Sequence, residues 1–315
     1  MSFDRDRLSS LIAAHGPVAR VVVASVAGSA PREVGAAMTV WVDGQDGTIG
    51  GGALELSAAE HARAALRGGG DRFDRVPLGP AVAQCCGGNV GLLTEVWTKA
   101  RLAANTSDVI ARPLPGTPGE MPLSVRRILQ AGRGQGARPG ATVLDGWMIE
   151  PLLRPDRQLW LYGAGHVGRA IVPALAPLPD IAITWVDTAL ERFPQNTPTN
   201  VATLVAKNPA DAVRHAPADA EHLVLTYSHA YDLEICHRLL AHGFGRAGLI
   251  GSATKWARFR KRLAALGHGE HQIARIACPI GDPELGKHPQ AIAIGVAAAF
   301  VRAGCKNHTR AEDVG

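Results

Sequence analysis

Three glycines in a Gly-x-Gly-x-x-Gly pattern predict the clearest binding chemistry in this chain: Gly163, Gly165 and Gly168. An apolar run at 159–162 precedes them, a helix-forming run follows, and a second apolar run at 181–186 ends in Asp187. This order of strand, turn, helix, strand and acid is typical of a dinucleotide-binding fold. Gly163 permits the turn, Gly165 permits close approach of a phosphate, and Gly168 permits helix packing. The free N–H groups of the helix start then favour an anion.

Two polar residues beside this motif have alternative interpretations. Asp187 is placed to accept hydrogen bonds from a ribose diol, which favours NAD over NADP because a carboxylate repels a 2′-phosphate. Alternatively, it only caps a local turn. His166, at the helix start, either contacts a phosphate or packs locally.

A further candidate, His229, follows the apolar run at 223–226, with Asp232 three residues later. The carboxyl ends of parallel strands are where such folds bind ligands, so we expect these side chains near the site. Against this, a lone histidine in a loop is more often structural.

Another glycine cluster, Gly50, Gly51 and Gly52, also precedes a helix pattern, and Glu55 lies in the first turn of that helix. Consecutive glycines expose backbone N–H groups that suit an anionic or flat ligand. A tight connection without a ligand explains the cluster equally well.

Adjacent thiols occur in the loop Gln84-Cys85-Cys86-Gly87-Gly88. A thiolate there would suit a soft metal such as molybdenum or copper, or would accept a sulfur atom. Neighbouring side chains of an extended segment face opposite ways, so one of Cys85 and Cys86 at most is expected to face a pocket. The alternative is a small buried apolar residue.

The surrounding patterns predict an α/β protein. Strands alternate with helices after about residue 156, which predicts a C-terminal Rossmann-like domain with a parallel sheet. Mixed strand and helix patterns before it predict an N-terminal α/β domain. We therefore divide the chain into domains at 1–155 and 156–305, with a tail at 306–315.

Composition narrows the class of protein. The 315 residues are 46% hydrophobic with a formal net charge of +5, and they show neither an export signal nor an apolar run of membrane-spanning length. Five cysteines without an export signal favour reduced thiols, so we expect a cytoplasmic protein that does not enter a membrane. No pattern matches a nucleic-acid-binding module.

Taken in order, several motifs together resemble those of the XdhC/CoxI family, accessory proteins of xanthine dehydrogenase and related molybdenum hydroxylases. They are Gly28-Ser29-Ala30-Pro31-Arg32 with Gly35 and Met38, Ile49-Gly50-Gly51-Gly52 with Glu55, Cys85-Cys86-Gly87-Gly88, the motif from Gly163 to Gly168, Leu249-Ile250-Gly251-Ser252 with Lys255, and Pro279-Ile280-Gly281. The joint pattern covers nearly the whole chain and is far more specific than any one piece.

The resemblance implies a non-catalytic chaperone that binds the molybdenum cofactor, a phosphorylated pterin dithiolene holding molybdenum. It would protect this cofactor while a cysteine desulfurase supplies sulfur, and then insert it into apo-xanthine dehydrogenase. We expect a cleft between the domains, with Cys85 or Cys86 near the metal and Arg32 neutralising phosphate or metal-oxo charge. The family pattern carries Thr-His-Asp-His at the end of the strand that ends here in Thr226. This chain has Tyr227 and Ser228 in place of the first His and the Asp, so only His229 and Asp232 remain. This departure puts an acid–base or metal site there in doubt.

Two alternatives rest on the dinucleotide motif. One is an NAD-dependent oxidoreductase, against which the sequence offers no clear hydride-transfer partner. The other is an NAD-sensing regulatory protein that binds NAD, or another nucleotide, without chemistry. A homodimer is the expected oligomer, because most soluble oligomers are symmetric dimers.

Overall fold

The computed structural model describes residues 2–78, 87–117, 119–135, 139–198 and 200–312, which form two compact units, Met1–Leu153 and Arg154–Gly315. The strands of the first unit are β1 (Val18–Ala27), β2 (Ala37–Val40), β3 (Gln45–Gly47), β4 (Arg72–Pro77), β5 (Asn89–Trp97), β6 (Val109–Pro113), β7 (Thr142–Leu144) and β8 (Trp147–Pro151). Its helices are α1 (Arg5–His15), α2 (Gly52–Ala64), α3 (Lys99–Ala104) and α4 (Leu123–Gln135).

Strands of the first unit form an antiparallel five-stranded sheet, ordered β3-β2-β1-β5-β4, and a three-stranded sheet, ordered β6-β8-β7. The β-branched run from Val18 onward explains β1, whose first seven residues are buried. Helix α2 covers one face of the larger sheet through Leu54, Ala58 and Ala62.

A buried ion network joins the two sheets of this unit. Arg20 on β1 and Arg112 on β6 both bind Glu150 on β8, and Arg112 also binds Glu95 on β5. Desolvation alone would raise the pKa of Glu150, but the charges of Arg20 and Arg112 lower it to about 2. The charges of this network are paired with one another and buried, so its role is structural.

The second unit contains β9 (Arg157–Tyr162), β10 (Ile181–Asp187), β11 (Val201–Val205), β12 (Glu221–Val224), β13 (Arg246–Leu249) and β14 (Ile276–Ala277). Its helices are α5 (His166–Leu175), α6 (His229–His242), α7 (Ala253–Ala265), α8 (Glu270–Ile273) and α9 (Pro289–Glu312). Helix α9 thus extends into the segment predicted as a tail.

All six strands pair in parallel, in the order β11-β10-β9-β12-β13-β14. Helices α5 and α9 cover one face, and α6, α7 and α8 cover the other. This confirms the predicted α/β class with a parallel C-terminal sheet. The strand order reverses beside β9, and in open α/β sheets ligands bind at such a point, outside the carboxyl ends of the strands.

Candidate functional site

The glycine turn after β9 has the steric constraints that its motif predicts. Gly163 has φ +120°, and a Cβ there would lie 2.4 Å from the Leu225 carbonyl oxygen. A Cβ on Gly168 would lie 2.1 Å from the Gly163 carbonyl oxygen, so α5 packs tightly on its strand.

Gly165 differs, because a Cβ there would meet open space. It is the N-cap residue of α5, and among the residues that the structure describes no side chain caps this helix. The first N–H groups of α5 therefore have no side-chain acceptor, and they favour an anion.

A cavity of about 480 Å³ opens at this helix start. We call it the helix-start pocket, because the N-termini of α5, α6 and α7 meet around it at the carboxyl edge of the sheet. Its lining comprises Gly165, His166, Val167, Arg192, Leu225, Thr226, Tyr227, His229, Ile250, Gly251, Ser252 and Lys255. The structure thus brings together Gly165, His166 and His229, as predicted, and both histidines are exposed.

Lys255 is the first cation of the pocket and is held by a buried acid. Its Nζ lies 2.6 Å from Asp232 Oδ2 and donates to the Ile250 carbonyl oxygen at 2.9 Å. Asp232 also accepts from the backbone N–H and hydroxyl of Thr226. Asp232 therefore positions Lys255 and is itself fully engaged.

Arg192 is the second cation, and sequence reasoning missed it because it belongs to no motif. It ends the short 3-10 helix Leu190–Arg192 after β10, and its guanidinium lies over the Tyr227 ring, 4.4 Å from the centroid. Its Nε lies 2.5 Å from Asp187 Oδ1 without good hydrogen-bond alignment, so the contact is Coulombic.

Asp187 is only 2% exposed and is occupied by the protein itself. Its Oδ2 accepts from the Ala164 N–H at 2.5 Å, and its Oδ1 accepts from the Thr188 N–H at 2.6 Å. The carboxylate thus caps the glycine turn and its own strand end. This geometry matches the alternative interpretation of Asp187 rather than the ribose interpretation.

Thiols near this pocket are not activated. Burial raises the pKa of both Cys236 and Cys278, which keeps these thiols protonated. Across the described part of the chain, no group of three or more histidine, cysteine or acidic side chains is arranged to hold a metal ion. The uncapped start of α5 and the cations Lys255 and Arg192 suit an anion in this pocket.

The Gly50–Gly52 cluster, in the first unit, has two of its backbone N–H groups bonded by side chains of its own loop and helix. Glu55 Oε2 accepts from the N–H groups of Ile49 and Gly51, and the hydroxyl of Thr48 accepts from Gly50 N–H. Desolvation opposes ionisation of Glu55, but these bonds and that from Thr48 Oγ1 hold its pKa below the ordinary value. A second anion at Gly50–Gly52 would meet a like charge and the occupied N–H groups of Gly50 and Gly51, which fits the alternative of a tight connection without a ligand.

Other predicted motifs of the first unit do converge. A Cβ on Gly50 would lie 2.5 Å from Pro31 Cβ, and one on Gly88 would lie 2.2 Å from the Ser29 carbonyl oxygen. Arg32 therefore lies beside Gly50, and its guanidinium is 3.4 Å from Glu33.

Residues Gln84, Cys85 and Cys86 lie outside the described residues, so their predicted roles stay predictions. Their neighbour Gly87 is described, and the Gly88 carbonyl oxygen accepts from Leu78 N–H at 2.7 Å.

No described helix is long and apolar enough to cross a membrane.

Comparison with known proteins covers both units. A family model described as the XdhC Rossmann domain matches residues 159–300, and one described as the XdhC and CoxI family matches residues 11–77. The uncharacterized protein YqeB of Escherichia coli strain K12 is 28% identical over 289 residues, which are 91% of this chain and 43% of that protein. The chain therefore spans less than half the length of this curated relative.

A solved structure described as a xanthine dehydrogenase from Bacillus halodurans has the same fold. It matches with a TM-score of 0.70 at 19% identity, and the match covers 95% of each chain. At this identity the similarity concerns the fold of both units.

Proposed function

Because the chain belongs to the XdhC and CoxI family, we propose that it is a chaperone that carries the molybdenum cofactor to an apo-xanthine dehydrogenase. Members of this family are accessory maturation proteins and not catalysts. The cofactor is cargo in this proposal. The protein's task is to hold its phosphate and to shield the rest until delivery.

The observation that carries the proposal is the helix-start pocket. An uncapped helix start at Gly165, the cations Lys255 and Arg192 and two exposed histidines all lie around one cavity. Positive charge and free N–H groups at a helix start are what a phosphate monoester binds. In the proposal the first turn of α5 binds the terminal phosphate, while Lys255 and Arg192 neutralise its charge.

The remaining parts of the proposal concern the metal and the partners. Cys85 or Cys86 would act near molybdenum or during sulfur transfer from a cysteine desulfurase, and Arg32 would face the metal-oxo group. The partner that receives the cofactor would be apo-xanthine dehydrogenase, and the carrier would be a homodimer.

The NAD-dependent alternatives depend on Asp187 as a ribose acceptor. Because both of its oxygens already accept backbone N–H groups, the geometry favours the carrier. We therefore use NAD as the competing ligand in the test.

The test measures binding of freshly released molybdenum cofactor to the full chain, read as molybdenum and oxidised-pterin fluorescence that co-elute with it. We expect stoichiometric binding, and at least a tenfold loss in Gly165→Ala, because the added methyl group enters open space where the phosphate approaches. Gly134→Ala is the matched control, since its Cβ also meets nothing within 4 Å and it lies on α4.

If no pterin co-elutes with the wild-type protein, the proposed carrier function is wrong. Wild-type binding that Gly165→Ala leaves unchanged would place the phosphate outside the helix-start pocket. Steady nicotinamide absorbance changes with candidate substrates would support the oxidoreductase instead.

A further inference from the structure

The side chain of Arg192 contacts both halves of the parallel sheet at its carboxyl edge. Its Nε contacts Asp187 at the end of β10, and its guanidinium stacks on Tyr227, which follows β12. Strand β9 lies between these two strands. The side chain of Arg192 therefore spans the carboxyl end of β9, the crevice in which this fold binds a dinucleotide.

The backbone of Arg192 is fixed to the glycine turn as well. Its carbonyl oxygen accepts from Arg169 Nη2 at 2.6 Å, and Arg169 Nε donates to the Ala164 carbonyl oxygen at 3.0 Å. Ala164 N–H in turn donates to Asp187. Arg169, Ala164, Asp187 and Arg192 therefore form a closed set of contacts that holds Arg192 over the turn.

This arrangement removes the ribose subsite. A ribose diol needs free acceptor positions on the acid at the end of β10. Asp187 Oδ1 already faces the Thr188 N–H and hydroxyl together with Arg192 Nε, and Oδ2 faces Ala164 N–H. An entering ribose would have to displace Arg192 and leave a buried carboxylate with fewer partners, which is unfavourable.

The same side chain favours a smaller ligand. Arg192 lines the helix-start pocket beside the uncapped start of α5, where its charge adds to that of Lys255. Tyr227 carries the guanidinium of Arg192 on its ring and is still 61% exposed at this rim, so part of the side chain is accessible to a planar group. Compact phosphate-bearing ligands gain from both features without needing Asp187.

We propose that Arg192 is the specificity-determining residue of the helix-start pocket: it closes the ribose subsite and so selects compact phosphate-bearing ligands over dinucleotides. This inference rests on the proposed function only in taking the pocket as a phosphate site.

Calorimetric titration of the full chain with NAD and, separately, with inorganic phosphate tests it. We expect phosphate to bind the wild-type protein more tightly than NAD. Arg192→Ala should bind NAD at least tenfold more tightly than wild type and phosphate at least threefold more weakly. Arg192→Lys should keep phosphate binding but gain NAD binding, because the ammonium cannot reproduce the planar stack on Tyr227.

Arg302→Ala is the charge-matched control, because Arg302 is an exposed residue of α9 that does not line the pocket. Circular dichroism of each variant checks folding. Wild-type NAD binding that weakens in Arg192→Ala would overturn the inference, as would NAD affinity equal in both proteins. If phosphate binds neither protein but Arg192→Ala gains NAD, Arg192 does close the ribose subsite, and the phosphate site proposed in the helix-start pocket is wrong.

Discussion

Each of the two glycine clusters supplies the N-cap residue of a helix, and no described side chain caps either helix, but the clusters differ in how their nearby carboxylate is placed. At Gly50–Gly52 the protein supplies its own anion, since Glu55 accepts from Gly51 N–H and Ile49 N–H. At Gly163–Gly168 no described side chain caps α5, and the acid of that region, Asp187, binds Ala164 N–H one residue before the helix cap.

The electrostatic surroundings of the clusters differ accordingly. Glu55 places a negative charge on the first loop, whereas the second opens into a pocket with Arg192 and Lys255 in its wall. A glycine-rich helix start therefore predicts a site only when no nearby carboxylate already occupies it.

The largest expected effect separates the steric roles of the glycines. Gly168→Ala should destabilise the second unit by more than about 3 kcal/mol, because its Cβ would lie 2.1 Å from a backbone oxygen that cannot move without breaking the turn. Gly51→Ala should cost less, about 1–3 kcal/mol, since the space is open and the cost is the backbone strain of an alanine at φ +75° and ψ −171°. Thermal unfolding by circular dichroism measures both. Equal losses of stability in the two variants would mean that the Gly163–Gly168 turn is no more tightly packed than the Gly50–Gly52 loop.

An intermediate effect is expected from the acid that caps the first cluster. Glu55→Ala should destabilise the first unit by about 1–2 kcal/mol at pH 7, because it leaves Ile49 and Gly51 without their acceptor. Denaturant unfolding measures the loss, and Glu60→Ala on the exposed face of α2 is the control.

The same variant has a defined pH dependence. The pKa of Glu55 is lowered in the folded protein, so its stabilisation is complete above the unfolded-state pKa and is lost as the pH falls through the folded-state pKa. The stability difference between wild type and Glu55→Ala should therefore shrink below about pH 4. A difference that stays constant down to pH 3 would contradict the capping role.

Local sequence patterns predicted most of the fold. Hydrophobic periodicity and residue composition were sufficient to predict β1, α2 and the alternating elements of the second unit, because each has a strong apolar pattern bounded by glycine or proline. They missed β4, whose sequence Arg72–Pro77 mixes three charged residues and a proline with two apolar residues, and β6, Val109–Pro113, whose apolar run is only three residues long. Those strands are stabilised by pairing with β5 and β8, which is information from distant sequence.

The candidate site was predictable only where backbone geometry defines it. Gly163, Gly165 and Gly168 follow from the motif, since each requirement is local. The status of Asp187 was not predictable, because its partners Ala164 and Arg192 come from a different strand end and a short 3-10 helix. The role of Glu55 was not predictable either, because its position in the sequence does not show whether its carboxylate bonds the N–H groups of the glycine loop.

The smallest stability effect offers the sharpest test of the comparison, because it gives the start of α5 an acceptor from the protein itself. Gly165→Ser places a hydroxyl at the N-cap of α5. Ser228 and Ser252 occupy the same position in α6 and α7, and their side chains cap those helices. Gly165 has φ −76° and ψ −173°, which serine adopts without strain. The variant should therefore be more stable by a few tenths of a kcal/mol, about the difference between serine and glycine at this position.

Phosphate binding by Gly165→Ser should fall at least fivefold in the same preparation, because the new side chain bonds one of the N–H groups that the anion would use. Opposite signs for stability and binding would separate loss of the site from loss of the fold, which a destabilising variant cannot do. Calorimetric titration with inorganic phosphate and thermal unfolding give the two readouts. Undiminished phosphate binding in the stabilised variant would mean that Lys255, Arg192 and the histidines hold the anion without the N–H groups of α5.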